Sequence, residues 1–260
     1  MVWSCVCLKS KFKMAPRRPV WALRRYSRGA LLASCMGLAS PSVAETIVGA
    51  YYEGPTTRYT HGVLGDAIEF TALVIETENQ SGSVLYRVNL PDDHVFEDVE
   101  PRLWDVTGDG TPEVVVIETD TALGGSLAVY DETGKIAETS HIGRSNRWLA
   151  PVGAVDLDGD GRIEIAFVDR PHLAKTLRVF EWDGTGLVFE AELAGLTNHR
   201  IGEDFISGGV RDCGTGPEFV TADADWSDIM AITLDAGILK TRSIGGFSAA
   251  ALGAALDCRS

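Results

Sequence analysis

Residues 156–164 read Asp-Leu-Asp-Gly-Asp-Gly-Arg-Ile-Glu, between an apolar run at 152–155 and the alternation Ile163, Ile165, Phe167. Three carboxylates at alternate positions, followed by Gly161, make a chain reversal whose side-chain oxygens converge on one hard cation, the way calcium is held. The expected ligands are Asp156, Asp158, Asp160, the carbonyl of Arg162, and Glu164. A polar Asp-Gly turn without metal is the plainer alternative. A calcium loop between two helices would need a glutamate at its twelfth position, where Phe167 stands. The flanks read instead as strands, so the loop joins two strands of a sheet.

A second copy lies upstream, Asp105-Val-Thr-Gly-Asp-Gly-Thr-Pro-Glu, followed by an apolar strand at 114–118. Its ligands would be Asp105, Thr107, Asp109, the carbonyl of Thr111, and Glu113. The neutral Thr107 implies weaker binding, because fewer charges face the ion. A short strand, then D-x-D-x-D-G-x-x-[DE], then a second strand, resembles the FG-GAP or VCBS repeat of calcium-binding β-propellers. Repeats of about 40–50 residues agree with that resemblance. Leu73-Val-Ile-Glu-Thr-Glu matches Val115-Val-Ile-Glu-Thr-Asp, and residues 166–169 and 219–223 take equivalent places. Turns at 131–134 and 183–186 close hairpins. The resemblance implies an all-β fold, a small β-propeller of four or five blades. The outer repeats have lost the ligand pattern, at 65–69 and at 210–218, where Arg211 and Cys213 replace carboxylates.

The termini carry their own signals. Residues 1–44 hold eight Lys or Arg and no acid, then an apolar run and Ser42-Val-Ala44, the pattern of a secretory signal peptide. A lipoprotein box ending at Cys35 fits less well, and Met14 is an alternative start. The expected domain is then 45–260, a monomer in the periplasm or outside the cell. Its two cysteines, Cys213 and Cys258, are expected to form a disulfide there. Residues 47–52 read as a strand. Residues 247–258 read as an innermost closing strand or, from their alanine content, a short helix.

Loss of residues 1–44 leaves 15 basic residues against 37 acidic ones, a formal charge of −22. Nucleic acid is excluded as a partner, since phosphate recognition needs a basic footprint. No later stretch approaches the eighteen apolar residues of a membrane span. Nucleophile-elbow, metalloprotease, phosphate-loop and dinucleotide motifs are all missing. With the metal loops at one end of the strands, connections between blades gather at the other. They form a candidate ligand rim of His94, Arg147, Trp148, His199, Glu203 and Asp204, together with His61, Glu97, Arg144, Asn146, Arg170 and His172. The expected function is a ligand-binding or protein-interaction module for a protein or glycan. The alternative is a hydrolase or lyase on a polysaccharide or other anionic substrate, using His94, His199, Glu203 and Asp204.

Overall fold

The computed structural model describes residues 45–259; the signal-peptide reading falls outside them. The described fold is all-β, with seventeen strands and one eight-residue helix. The strands form four antiparallel meanders. The first is β1 (Thr46–Thr56), β2 (Glu69–Asn79) and β3 (Gly82–Asn89), with β2 central. The second is β4 (His94–Phe96), β5 (Arg102–Trp104), β6 (Glu113–Asp120), β7 (Gly124–Asp131) and β8 (Gly134–Glu138). The third is β9 (Leu149–Val155), β10 (Glu164–Asp169), β11 (Thr176–Trp182) and β12 (Leu187–Ala194). The fourth is β13 (Leu196–Thr197), β14 (Gly209–Asp212), β15 (Pro217–Asp223), β16 (Asp228–Asp235) and β17 (Ile238–Gly246), followed by α1 (Ala249–Leu256). Phe96 in β4 pairs with both Phe70 and Glu118, which joins the first two meanders into one eight-stranded sheet.

Local chemistry explains the turns. At 131–134 and 183–186 one aspartate oxygen accepts from the following threonine hydroxyl and from two backbone N–H groups. This is the side-chain mimicry that makes Asp a turn former. In the second and fourth meanders the first strand is split: β4 and β5 both pair with β6, and β13 and β14 both pair with β15. In the third, β9 runs unbroken along β10. At the splits residues 97–101 and 198–208 leave the strand pairing, and parts of both line a cavity beside β9. Gly153 in β9 is needed for a close approach, because a Cβ there would lie 2.3 Å from Val210 Cγ2 of β14.

Two expectations are corrected. The match between residues 73–78 and 115–120 set β2 in the place of β6. In the structure β1 precedes β2 through the long loop 57–68, and a tight turn leads on to β3. The β6–β7–β8 order has the same succession, a connection at the far end and then a tight turn, so β2 corresponds to β7. The shared letters report burial: β2 and β6 are both central strands covered on both faces, and such strands draw the same β-branched run whatever their rank. Residues 65–69 are therefore not a worn metal loop. The second correction concerns the tail, which is the helix α1 and not a closing strand. Ser248 caps it by accepting from Ala251 N at 3.1 Å.

Four apolar layers hold these units in series. Ile47, Leu73 and Ile75 pack on Val114, Val116 and Tyr130, between the first and second meanders. Val115, Ile117 and Leu127 meet Ile165, Phe167 and Phe180, between the second and third. Ala166, Val168 and Val179 meet Phe219 and Ile232, between the third and fourth. Val220 and Ile229 are covered by Leu252 of α1, so the helix takes the face against which a further meander would pack. Beneath these layers Arg102 makes two hydrogen bonds to the fully buried Asp98, at 2.7 and 2.9 Å. The strands thus have two unlike ends. One carries the Asp-rich turns between β5 and β6 and between β9 and β10. The other carries the long connections, and is called the loop face below.

Candidate functional site

At the turn end, the β9–β10 connection folds on its own carboxylates. Asp156 accepts from Gly159 N at 2.8 Å and Gly161 N at 3.1 Å, and Asp160 accepts from Arg162 N at 2.9 Å. Glu164 opens β10, is 0 % exposed, and accepts from Leu157 N through Oε2 alone. Its Oε1 is buried without any hydrogen-bond partner. Oxygens of Asp156, Asp158 and Glu164 lie within 4.8 Å of one another, as do those of Asp160, Glu164 and Glu181. Burial, followed by the charges of Glu190, Asp158 and Asp160, pushes the Glu164 carboxyl up to about 7. A buried oxygen without a donor is costly, and a divalent cation is what this ligand set fits.

The same glutamate recurs with other partners. In the β5–β6 turn Glu113 accepts from Val106 N at 2.7 Å, from Thr107 N at 3.1 Å, and, through its other oxygen, from the Thr107 hydroxyl at 3.1 Å. Both oxygens thus have donors within the turn, the threonine hydroxyl meeting the one whose counterpart is bare in Glu164. Asp105 and Asp109 accept backbone N–H groups of the turn, including Gly110 N and Thr111 N. In the fourth meander Glu218 faces Arg211 at 2.7 Å and Arg242 at 2.6 Å, so guanidinium charge neutralises it. One residue type is thus met by a hydroxyl, by two arginines, and, at Glu164 Oε1, by no donor among the described residues.

This contrast gives a first prediction. Thr107→Asp is expected to lower stability in EDTA by about 1–2 kcal/mol, through the lost hydrogen bond and the added charge beside Glu113. It is also expected to add one bound calcium per chain in a calorimetric titration. An unchanged stoichiometry would mean that the turn already takes a cation with Thr107 in place, or is excluded from metal binding by more than its third residue.

On the loop face, residues 57–68 cross over the meanders. Tyr59 Oη accepts from Asn146 N at 2.7 Å, Val63 enters the core between the second and third meanders, and Gly202 N donates to Val63 O at 3.0 Å. Gly124 permits the 144–147 segment to lie over β7, since a Cβ would sit 2.4 Å from Arg144 O. His61 Nδ1 is 2.5 Å from Glu97 Oε1, and Glu97 accepts from Thr119 through its other oxygen at 2.8 Å. Burial raises the Glu97 carboxyl, opposed by His61. Trp148 Nε1 donates to Glu97 O at 2.7 Å, and the Trp148 ring packs on His199. The Glu203 carbonyl can only accept, so His199 donates to it through Nε2 at 2.9 Å. Its Nδ1 then accepts from His172 Nε2 at 3.0 Å. His199 is thereby neutral, and burial lowers both imidazoles, His172 to about 4.

The sequence-derived rim is only partly assembled. Trp148, His199 and Arg147 come together with His61 and His172, and Arg147, Trp148, His61 and His172 line one recess of about 30 Å³. His94 stands apart beside Asp93 at 2.8 Å, with Glu118 and Asp120 near 4 Å. Asp204 lines a separate cavity of about 430 Å³ with Glu100, Arg102, Trp104 and Phe205. Glu203 joins through its backbone carbonyl and pairs its carboxylate with Arg200 at 3.4 Å. The sequence placed His61 and Glu97 on this face but gave no sign of their pairing, which spans 36 residues.

Among the described residues no helix is long and apolar enough to cross a membrane. Comparison with curated proteins returned no match. A family comparison matched residues 105–167, the stretch from the first Asp-rich turn into β10. The chain therefore carries an FG-GAP-like repeat.

Proposed function

We propose that the chain is an exported, calcium-braced binding module whose four meanders are the blades of a small β-propeller. In this reading residues 1–44 direct the protein to the periplasm or the exterior, and the disulfide between Cys213 and Cys258 belongs to that oxidising compartment. Calcium would be held by Asp156, Asp158, Asp160, the Arg162 carbonyl and Glu164. There it would supply charge that ties the turn to the head of β10. The observation that carries the reading is the buried, partnerless Oε1 of Glu164 facing Asp156 and Asp158. With bracing assigned to the turn end, the loop face is left for recognition of a protein or glycan.

A second reading, a hydrolase or lyase, draws on one observation. The His61 imidazole is held by a buried carboxylate at the edge of the recess, the arrangement of a general base with its orienting group. The test is to challenge the oxidised, calcium-loaded domain with an array of peptides and glycans, reading both retention and chemical change. Retention of intact ligand is the expected result. Conversion of a ligand to product would replace the module with the enzyme.

A further inference from the structure

Of the fifteen Lys and Arg among the described residues, twelve have a carboxylate oxygen within 4.0 Å. The three without one are Arg144, Arg147 and Lys175, and all three belong to the loop face. In a domain where acids outnumber bases by more than two to one, cations rarely lack partners by chance. Each therefore carries a charge that no carboxylate within 4.0 Å cancels.

One of the three, Arg147, lines a built recess, and Lys175 lies close enough to act on its His172 while its ammonium donates to Ala224 O. Arg147 uses one of its five N–H donors, on Asn146 O at 2.6 Å. It lines the recess with His61, Asn146, Trp148, Arg170 and His172. The backbone there is held in the left-handed region at Asn146 (φ 54°), Arg170 (φ 47°) and Lys175 (φ 51°). Strained backbone of this kind clusters at ligand sites. Beyond the larger effect of burial, His61 and Lys175 disfavour a proton on His172.

We infer that this recess binds the carboxylate of a ligand with an apolar body. Arg147 makes the direct contact, and Lys175 adds positive charge nearby. The assignment rests on the loop face being the ligand side. Leu173, which lines the recess and is 65 % exposed, offers the apolar flank. A carboxylate is favoured over a phosphate for two reasons. The recess, at about 30 Å³, has room for about two water-sized oxygens, the number a carboxylate presents. The domain's charge of −22 also opposes a dianion more than a monoanion.

The test is an NMR titration of the oxidised, calcium-loaded domain with benzoate, benzyl alcohol and inorganic phosphate at fixed ionic strength. Benzoate is expected to give saturable shifts of the Trp148 indole N–H and the His172 ring, and the other two probes are not. Arg147→Gln should weaken benzoate at least tenfold, with Arg147→Lys in between. Arg87→Gln, which removes a paired arginine on β3, should leave it unchanged. Equal response to benzyl alcohol, equal or tighter binding of phosphate, or indifference to Arg147→Gln would each overturn the inference. A neutral ligand retained on the array and unaffected by Arg147→Gln would overturn it while leaving the module intact. Benzoate binding with nothing retained on the array would uphold the site and remove the module.

Discussion

Addition of millimolar calcium to the EDTA-treated domain is expected to raise its melting temperature by about 5–11 °C. The estimate takes calcium at a hundredfold over its dissociation constant, about 2.7 kcal/mol of linkage, and about 2–4 °C per kcal/mol for a domain of this size. Glu164→Gln should abolish the rise, because the amide supplies no charge to the cation. In EDTA the same variant should melt at or above wild type, since it removes a buried carboxylate that has one oxygen unpartnered. The effect should also depend on pH. In the metal-free fold Glu164 titrates near 7, above its unfolded value, so the folded state binds the extra proton between about 4.5 and 7. Metal-free stability is therefore greatest at the acid end of this window and falls as pH rises toward 7. Calcium restores what is lost, and its increment should shrink as pH falls through 7. A calcium shift that persists in Glu164→Gln would sink the assignment of this turn.

Loss of the Cys213–Cys258 disulfide is the other large effect. The bridge closes a loop of 45 residues, for which the chain-entropy account gives about 4 kcal/mol, or roughly 8–16 °C in melting temperature. The structure says where the damage would begin. With eight residues, α1 is too short to persist alone. Among its residues only Leu252 is buried, and a cavity of about 450 Å³ remains between it and the fourth meander. A loosely seated helix depends on its tether, which fixes its end to the turn before β15, beside the bond from Arg211 to Ala255 O at 3.1 Å. The Cys213→Ser, Cys258→Ser double variant should therefore expose Val220 and Ile229, and limited proteolysis should cut first after Lys240 or Arg242. Equal melting temperatures and an unchanged cleavage pattern would show that helix packing suffices without the bridge.

How far each feature could be read from the chain follows from the range of the interaction behind it. Turns are local, so the Asp-rich loops, the hairpins at 131–134 and 183–186 and the outward flow of the chain to one face were all legible in residue order. The cysteine pair was legible by elimination, since only two remain after residue 44. The sequence also named the difference between the two Asp-rich turns, Thr107 against Asp158. What it could not show was that the threonine hydroxyl would satisfy Glu113 while the equivalent oxygen of Glu164 stayed bare.

Tertiary structure decided the rest. The rank of β2 was misjudged because hydrophobic pattern reports burial, and two central strands of different rank are buried alike. The rim was over-collected because a linear list puts His94 and Asp204 beside Trp148 and His199, whereas the loop 57–68 and the split first strands send them to different places. Most of all, the chain's order gives no warning that Arg144, Arg147 and Lys175 would be left without acids in so acidic a protein. Charge pairing is settled by which side chains the packed layers bring within about 4 Å, and that distance exists only once the meanders have stacked.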